Sequence, residues 1–355
     1  MTDPFWEPTP DRYPGRLPDK ADVLIIGGGI AGVSLLHHLE ARRIDAVLLE
    51  RGHLASGASG RNAGFLLAGV AASYAEAART YGREKAREVW ETTSEDHDRM
   101  IGAARGQEVG HRRLGSAVLA SGDEERAQLV ESEQLLREDG FTARWDGQRL
   151  VNPRDGEITP TLMVAALARQ ASQGAIREGV NVTEIRARAH DVEVRAGEDS
   201  CTAGVVILAT NAYTAELVPS VKIQPTRAQM LATAPPSRIV SDMPTYSHFG
   251  YRYWRQLATG EFLIGGWRDT SMESELTTEA EPTDDIQHHM DEALPGLGVT
   301  TKVTHRWAGI MGFTESGLPL SGQVSGLPNV LICAGFNGHG MGFAFMTAKK
   351  VAESI

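Results

Sequence analysis

The run "DVLIIGGGIAGVSLLHHLEARRIDAVLLER", residues 22–51, leaves the chain few folds to choose from. Val23 to Ile26 is continuously apolar, as a strand buried on both faces of a parallel sheet must be. A glycine turn follows, then a helix from Ile30 to about Arg42, then a second strand from Ala46 to Leu49. That is one βαβ unit. Within its turn, Gly27, Gly29 and Gly32 keep the G-x-G-x-x-G spacing. The first glycine permits the tight turn, the second lets backbone approach a pyrophosphate, and the third lets helix pack close on strand. Ile30 and Ala31 open a helix whose free N–H groups and partial positive charge suit phosphate. Glu50 ends the second strand, about 20 residues on, where a carboxylate can accept ribose hydroxyls. The unit is built for a dinucleotide.

The loop that follows, "ASGASGRNAGF" at residues 55–65, narrows the choice. A nicotinamide dinucleotide needs little beyond the acidic residue, whereas FAD has to be followed along its ribityl chain and ring. Gly57, Ala58, Ser59 and Gly60 leave room for backbone to run against that chain and hydrogen-bond it. Arg61 and Asn62 add a cation and an amide near the phosphates or the flavin edge. The plain alternative is a solvated surface loop.

The formal net charge of -11 disfavours long-range attraction to nucleic acid or anionic membrane. Cys201 and Cys333 are far apart in apolar, strand-like sequence, so two buried thiols are expected rather than a disulfide. The Pro-rich, acidic lead-in has no apolar stretch of the kind that directs secretion, and no run is long enough to span a bilayer. A cytoplasmic location is expected.

Residues 74–140 read as charged helices around a strand at Ser116 to Ala120, and Pro160 to Gly174 reads as another helix. Strands are expected at Val180 to Ile185, Val192 to Arg195 and Gly204 to Thr210. Those at "RAQMLAT", "YRYWRQ" and "EFLIGGW" should form an antiparallel sheet. "NVLICAG" (Asn329 to Gly335) returns to a buried strand, followed by a glycine turn and a closing helix.

Taken together, "DVLIIGGGIAGVSLLHHL", "LLERGHLASGASGRNAGF", "VVILATNAYT", "RWAGIMGFTESGLPLSG" and "AGFNGHGMGFAF" resemble the D-amino-acid oxidase and glycine oxidase superfamily of FAD-dependent amine oxidoreductases. "GASGRN" and "YWRQ" are most similar to its gamma-glutamylputrescine oxidoreductase branch. The resemblance implies an α/β fold: a Rossmann-like FAD domain and a mixed, largely antiparallel substrate domain. The FAD domain is expected to be discontinuous, over residues 1–82, 150–224 and 306–355, with 83–149 and 225–305 forming the other. It implies cofactor contacts at Arg51, Ser56, Ala63, Gly64 and Gly309 besides the residues named above, and Val182 with its backbone against the adenine. Ala209, Thr210 and Asn211 would end a strand beside the cofactor. Gly338, His339, Gly340 and Met341 would open the last helix toward the flavin pyrimidine, where N–H groups stabilise negative charge. Arg61 and His339 are the catalytic candidates, since the flavin itself performs the redox step.

The implied reaction is oxidation of an amine C–N bond: hydride passes to flavin N5 and the imine is hydrolysed. Relatives acting on small α-amino acids often clamp the carboxylate with an Arg in "GLRP". Here the matching stretch is "GIMGFT", with Met311 at that place, so a larger or secondary amine is expected. No Cys occupies the attachment loop and no Lys the strand where sarcosine oxidases activate oxygen, so FAD should be non-covalent, with oxygen or an electron carrier as acceptor. A protein that holds FAD without turning over is the third reading. Tyr251, Tyr253 and Trp254 could roof the substrate with Arg252 or Arg255, or form an ordinary amphipathic strand. Arg268 is a further substrate candidate. His288 and His289 read as a solvated helix face, and no metal is expected.

Overall fold

The computed structural model describes residues 3–355, and its two large sheets face one another across a cleft. The first sheet runs in the order Leu320–Gln323, Val330–Ala334, Asp199–Leu208, Lys20–Ile26, Ala46–Glu50, Ile176–Glu178. All its neighbours along that path pair in parallel except the outermost strand, Leu320–Gln323. Val23 to Ile26 are buried as the apolar run requires. On one face, Val23 and Ile25 pack with the helices Ile30–Ala41, Pro160–Ala168 and Gly340–Glu353. On the other, Leu24 and Ile26 meet an antiparallel ribbon through Val192, Val194 and Cys201. Both cysteines are free and buried in this sheet.

The second sheet runs Val303–Phe313, Gln224–Thr233, Phe262–Gly266, Arg252–Gln256, Thr245–Ser247, Ser116–Leu119, Arg149–Asn152, Arg144–Trp145. Its first five strands are antiparallel to one another, as expected for the third quarter. Alternation gives it two faces. Met230 and Ala232 pack inward with Phe65 and Trp307, whereas Leu231, Trp254 and Ile264 pack outward on Ile286 and Met290 of the helix Asp284–Ala293. Residues 150–152 and 306–313, placed by sequence in the FAD domain, contribute strands to this sheet.

Two local expectations change, and one strand has no signal in the sequence. The helix at Pro160 stops at Ala168, short of Gly174, which has φ +80°. The strand expected from Val180 begins at Glu184. The edge strand Ile176–Glu178 carries two charged residues in three and gives no apolar signal. Its Glu178 is buried, accepting the N–H groups of Leu54 and Tyr13 at 2.7 and 2.9 Å.

Candidate active site

The turn after Lys20–Ile26 is held by its own sterics. Gly27 has φ +115° and donates its N–H to Leu49 O at 2.8 Å. A Cβ on Gly32 would sit 1.9 Å from Gly27 O, so only glycine lets the helix lie that close. A Cβ on Gly29 would lie 2.8 Å from Ser59 Oγ. Ser59 Oγ in turn accepts the Ile30 N–H at 2.9 Å, at the head of the helix. Glu50 accepts Gly28 N–H at 2.7 Å and Gly52 N–H at 2.8 Å, one on each oxygen. Each oxygen keeps a further lone pair for a hydroxyl.

From this turn a single cavity of about 460 Å³ runs across the cleft to the last helix. Its wall includes Gly27, Gly29, Ile30, Ala31, Glu50, Arg51, Ser56, Ala58, Ser59, Arg61, Asn62 and Ala63. Val182, Ala209, Thr210, Asn211 and Gly309 continue it, and Gly338 to Met341 close its far end. Tyr251, Tyr253, Arg268 and Met311 lie there too. Gly32, Gly60 and Gly64 stand behind the wall and shape it. A Cβ on Gly60 would meet Ala55 O at 2.2 Å, and Gly64, at φ +73°, packs on Ile158 O.

Trp254 does not reach the cavity. One residue from Tyr253, it points to the opposite face of the sheet and is buried among Phe262, Ile264 and Met290. Arg252 also points away, pairing with Asp269 and stacking on Trp267. Arg255 is on the inner face but committed: it donates to Gly64 O at 3.1 Å and Ile158 O at 3.0 Å, 3.5 Å from Glu157.

The two asparagines work on the protein itself. Asn62 bridges Ala58 O and Ser59 O and takes the Gly64 N–H at 2.7 Å, which fixes the loop. Asn211, at φ +45°, accepts the Gly335 N–H at 2.9 Å and joins two strand ends. The Arg61 guanidinium donates to Ser56 O and Ala308 O, at 3.2 and 2.9 Å. Arg51 pairs with Glu216 at 3.6 Å and covers the Tyr213 ring.

His339 caps the last helix, its ring stacked on Tyr246 with centroids 6.1 Å apart. Burial lowers its pKa from 6.5, so it is neutral at pH 7. The positive character of that corner comes from the helix amides, with no imidazolium charge. Burial also pushes the Tyr253 hydroxyl up to about 12 and raises that of Tyr246, so both stay protonated. Sequence reasoning missed Tyr246, which sits on the three-residue strand Thr245–Ser247. It also missed Phe65, Leu67, Met230, Phe313 and Phe336, apolar wall residues indistinguishable from core by pattern.

These residues fit FAD. A carboxylate stands at one end, a helix N-terminus with glycine clearance in the middle, and a second helix N-terminus at the other end. Neither cysteine lines the cavity. Acid or heat precipitation should therefore release intact FAD into the supernatant; flavin left on the precipitated chain would contradict this. Among the described residues, no group of three or more His, Cys, Asp or Glu is placed to hold a metal. His288 and His289 are on an outer helix beside Glu292 and Asp285. No described helix is long and apolar enough to cross a membrane.

Comparison with known proteins agrees with the geometry. A family model described as "DAO: FAD dependent oxidoreductase" matches residues 22–354. "Probable oxidoreductase OrdL" of Rhizobium meliloti is 28% identical, over 94% of this chain and 82% of its own. "Gamma-glutamylputrescine oxidoreductase" of Escherichia coli is 25% identical, over 94% and 83%. The crystal structure of glycine oxidase from Geobacillus kaustophilus superposes with a TM-score of 0.79 at 20% identity, covering 95% of each chain.

Proposed function

The chain belongs to the DAO family of FAD-dependent oxidoreductases and acts on amine-type donors, and we propose that its substrate is a larger or secondary amine rather than a simple α-amino acid. Met311 carries this reading. It lines the cavity beside the last helix, where a Cβ on Gly338 would come 3.1 Å from its Sδ. A thioether at that place cannot hold an α-carboxylate.

Bound in the cavity, FAD supplies the two-electron acceptor for the amine C–H bond. The protein's part is to select and orient the amine. The acidic side chains lining the cavity, Glu50 and Glu216, both lie at the adenosine end among the described residues. The far end holds Met311, Tyr246, Tyr253 and the neutral His339. A buried ammonium has no counter-charge there, so burial favours the neutral amine that can be oxidised. The amides of the first turn of Gly340–Glu353 face the same end and favour negative charge developing opposite them.

Steady-state rates on glycine, sarcosine and gamma-glutamylputrescine test the reading. Wild type should turn over the last best. Met311→Arg should raise relative activity on glycine roughly tenfold to a hundredfold, the worth of a charge-assisted pair. Efficient wild-type turnover of glycine would contradict the role given to Met311. A second reading, electron transfer to a quinone or carrier, is favoured by the absence of lysine among the described residues lining the cavity. Turnover with oxygen as sole acceptor decides between them.

A further inference from the structure

We propose that Arg268 binds a carboxylate on the substrate, set outward from the oxidised C–N bond by a short chain; this deepens, and rests on, the amine-oxidation reading above. Three guanidinium groups line the cavity: Arg51, Arg61 and Arg268. Arg51 is paired with Glu216 at the adenosine end, and Arg61 is committed to two backbone carbonyls. Arg268 has no carboxylate or carbonyl partner among the described residues; its hydrogen bond goes to Met272 Sδ at 3.6 Å.

The charge is nevertheless held in place. Its guanidinium carbon lies 4.6 Å from the ring centre of Tyr251 and 4.9 Å from that of Phe313. Tyr251 precedes the strand Arg252–Gln256 and Phe313 ends the strand Val303–Phe313, with two other strands between them. The side chain therefore reaches across the inner face of the sheet. Two rings pack against the guanidinium and one nitrogen meets Met272 Sδ, which leaves the remaining N–H groups for a ligand. The N–H edge is the part of arginine that meets a carboxylate bidentately. Aromatic faces stabilise the cation without using up its donors.

Tyr253 adds a second donor. Its ring lies against Gly265, where an added Cβ would fall 2.7 Å from the phenolic oxygen, so only glycine leaves room. The hydroxyl has no hydrogen-bond partner among the described residues and is close enough to feel the charge of Arg268. Position along one strand sets the order in the cavity. Met311 stands two residues before Phe313 on the same face of Val303–Phe313, whereas Arg268 lies against Phe313 and adjoins the exposed Asp269, Thr270 and Met272. A carboxylate held by Arg268 is thus outward of the reacting amine, as in an ω-amino acid.

Anaerobic flavin reduction of the holoenzyme by 4-(methylamino)butanoate, by its neutral amide and by sarcosine tests this. Wild type should half-saturate with the acid at roughly tenfold to a hundredfold lower concentration than with the amide, the range for a charge-assisted pair. Arg268→Gln should erase that difference, leaving the limiting rate and the sarcosine response unchanged. A preference for the acid that survives in Arg268→Gln overturns the assignment. So does an equal loss with sarcosine, which would put the α-carboxylate at Arg268. Butanoate, which cannot be oxidised, gives a second readout. It should perturb the flavin spectrum of wild type and not of Arg268→Gln, even if no amine reduces the flavin and the oxidation reading itself fails. An identical butanoate response in the two proteins also overturns the assignment.

Discussion

Gly29→Val yields a folded, colourless protein. The backbone at Gly29, φ −81° and ψ −175°, is open to any residue, so the change introduces no backbone strain. The obstacle is spatial, because the new Cβ would stand 2.8 Å from Ser59 Oγ, with two further methyls beyond it. Ser59 must move, and the Ile30 N–H at 2.9 Å loses its acceptor, which costs the helix about 1 kcal/mol. A domain of this size survives that loss. The valine also fills the space through which a pyrophosphate approaches the helix amides. Flavin affinity should fall by at least tenfold, or about 1.4 kcal/mol, read as the ratio of flavin to protein absorbance after gel filtration. An unchanged circular dichroism spectrum would show that folding persists. A full flavin spectrum in the variant would contradict the assignment of the turn.

Arg255→Met produces the largest loss of stability. Arg255 is 2% exposed, lies 3.5 Å from the equally buried Glu157 and stacks on Trp6. Burial pulls its pKa down to about 10, which still leaves it charged at neutral pH. Its two hydrogen bonds tie Gly64 O in the cavity loop to Ile158 O. Methionine fills much of the volume but leaves Ile158 O bare and Gly64 O with only the Ile158 N–H at 2.8 Å, with Arg112 as the remaining cation at Glu157. Breaking a buried pair from one side costs about 3–5 kcal/mol. The thermal midpoint, followed by tryptophan fluorescence and by flavin release together, should drop for both signals. A midpoint equal to wild type would show that the pair contributes nothing. Arg255→Lys should fall between, since a point charge cannot serve two carbonyls and a carboxylate at once.

The parts of this molecule legible in the sequence are those whose determinants are local. The βαβ unit is written in Val23–Ile26, Gly27, Gly29, Gly32 and Glu50, and the structure brings them together as strand, close-packed turn and strand end. "RYWRQ" shows where local information ends. Aromatic and cationic residues alternate on both of its faces, so nothing in the run says that Tyr253 faces the cavity and Trp254 the outer helix. That choice is made by the helix Asp284–Ala293, distant in sequence, which covers one face. Tyr246 is hidden for a similar reason. Its strand pairs in parallel with Ser116–Leu119, a partner far away in sequence. Asn62 and Asn211 line the cavity and also tie the chain to itself, a second task that an amide in a polar run does not announce. The placement of Val303–Phe313 in the second sheet follows from its pairing with Gln224–Thr233, which no local pattern reveals.

Anaerobic mixing tests most directly whether the cavity holds FAD and presents an amine to it. The yellow protein, mixed without oxygen with gamma-glutamylputrescine, 4-(methylamino)butanoate and other secondary amines, should lose its flavin absorbance with at least one of them. Dithionite serves as the control for a reducible flavin. A protein whose flavin is bleached by dithionite and by none of the amines would contradict the account.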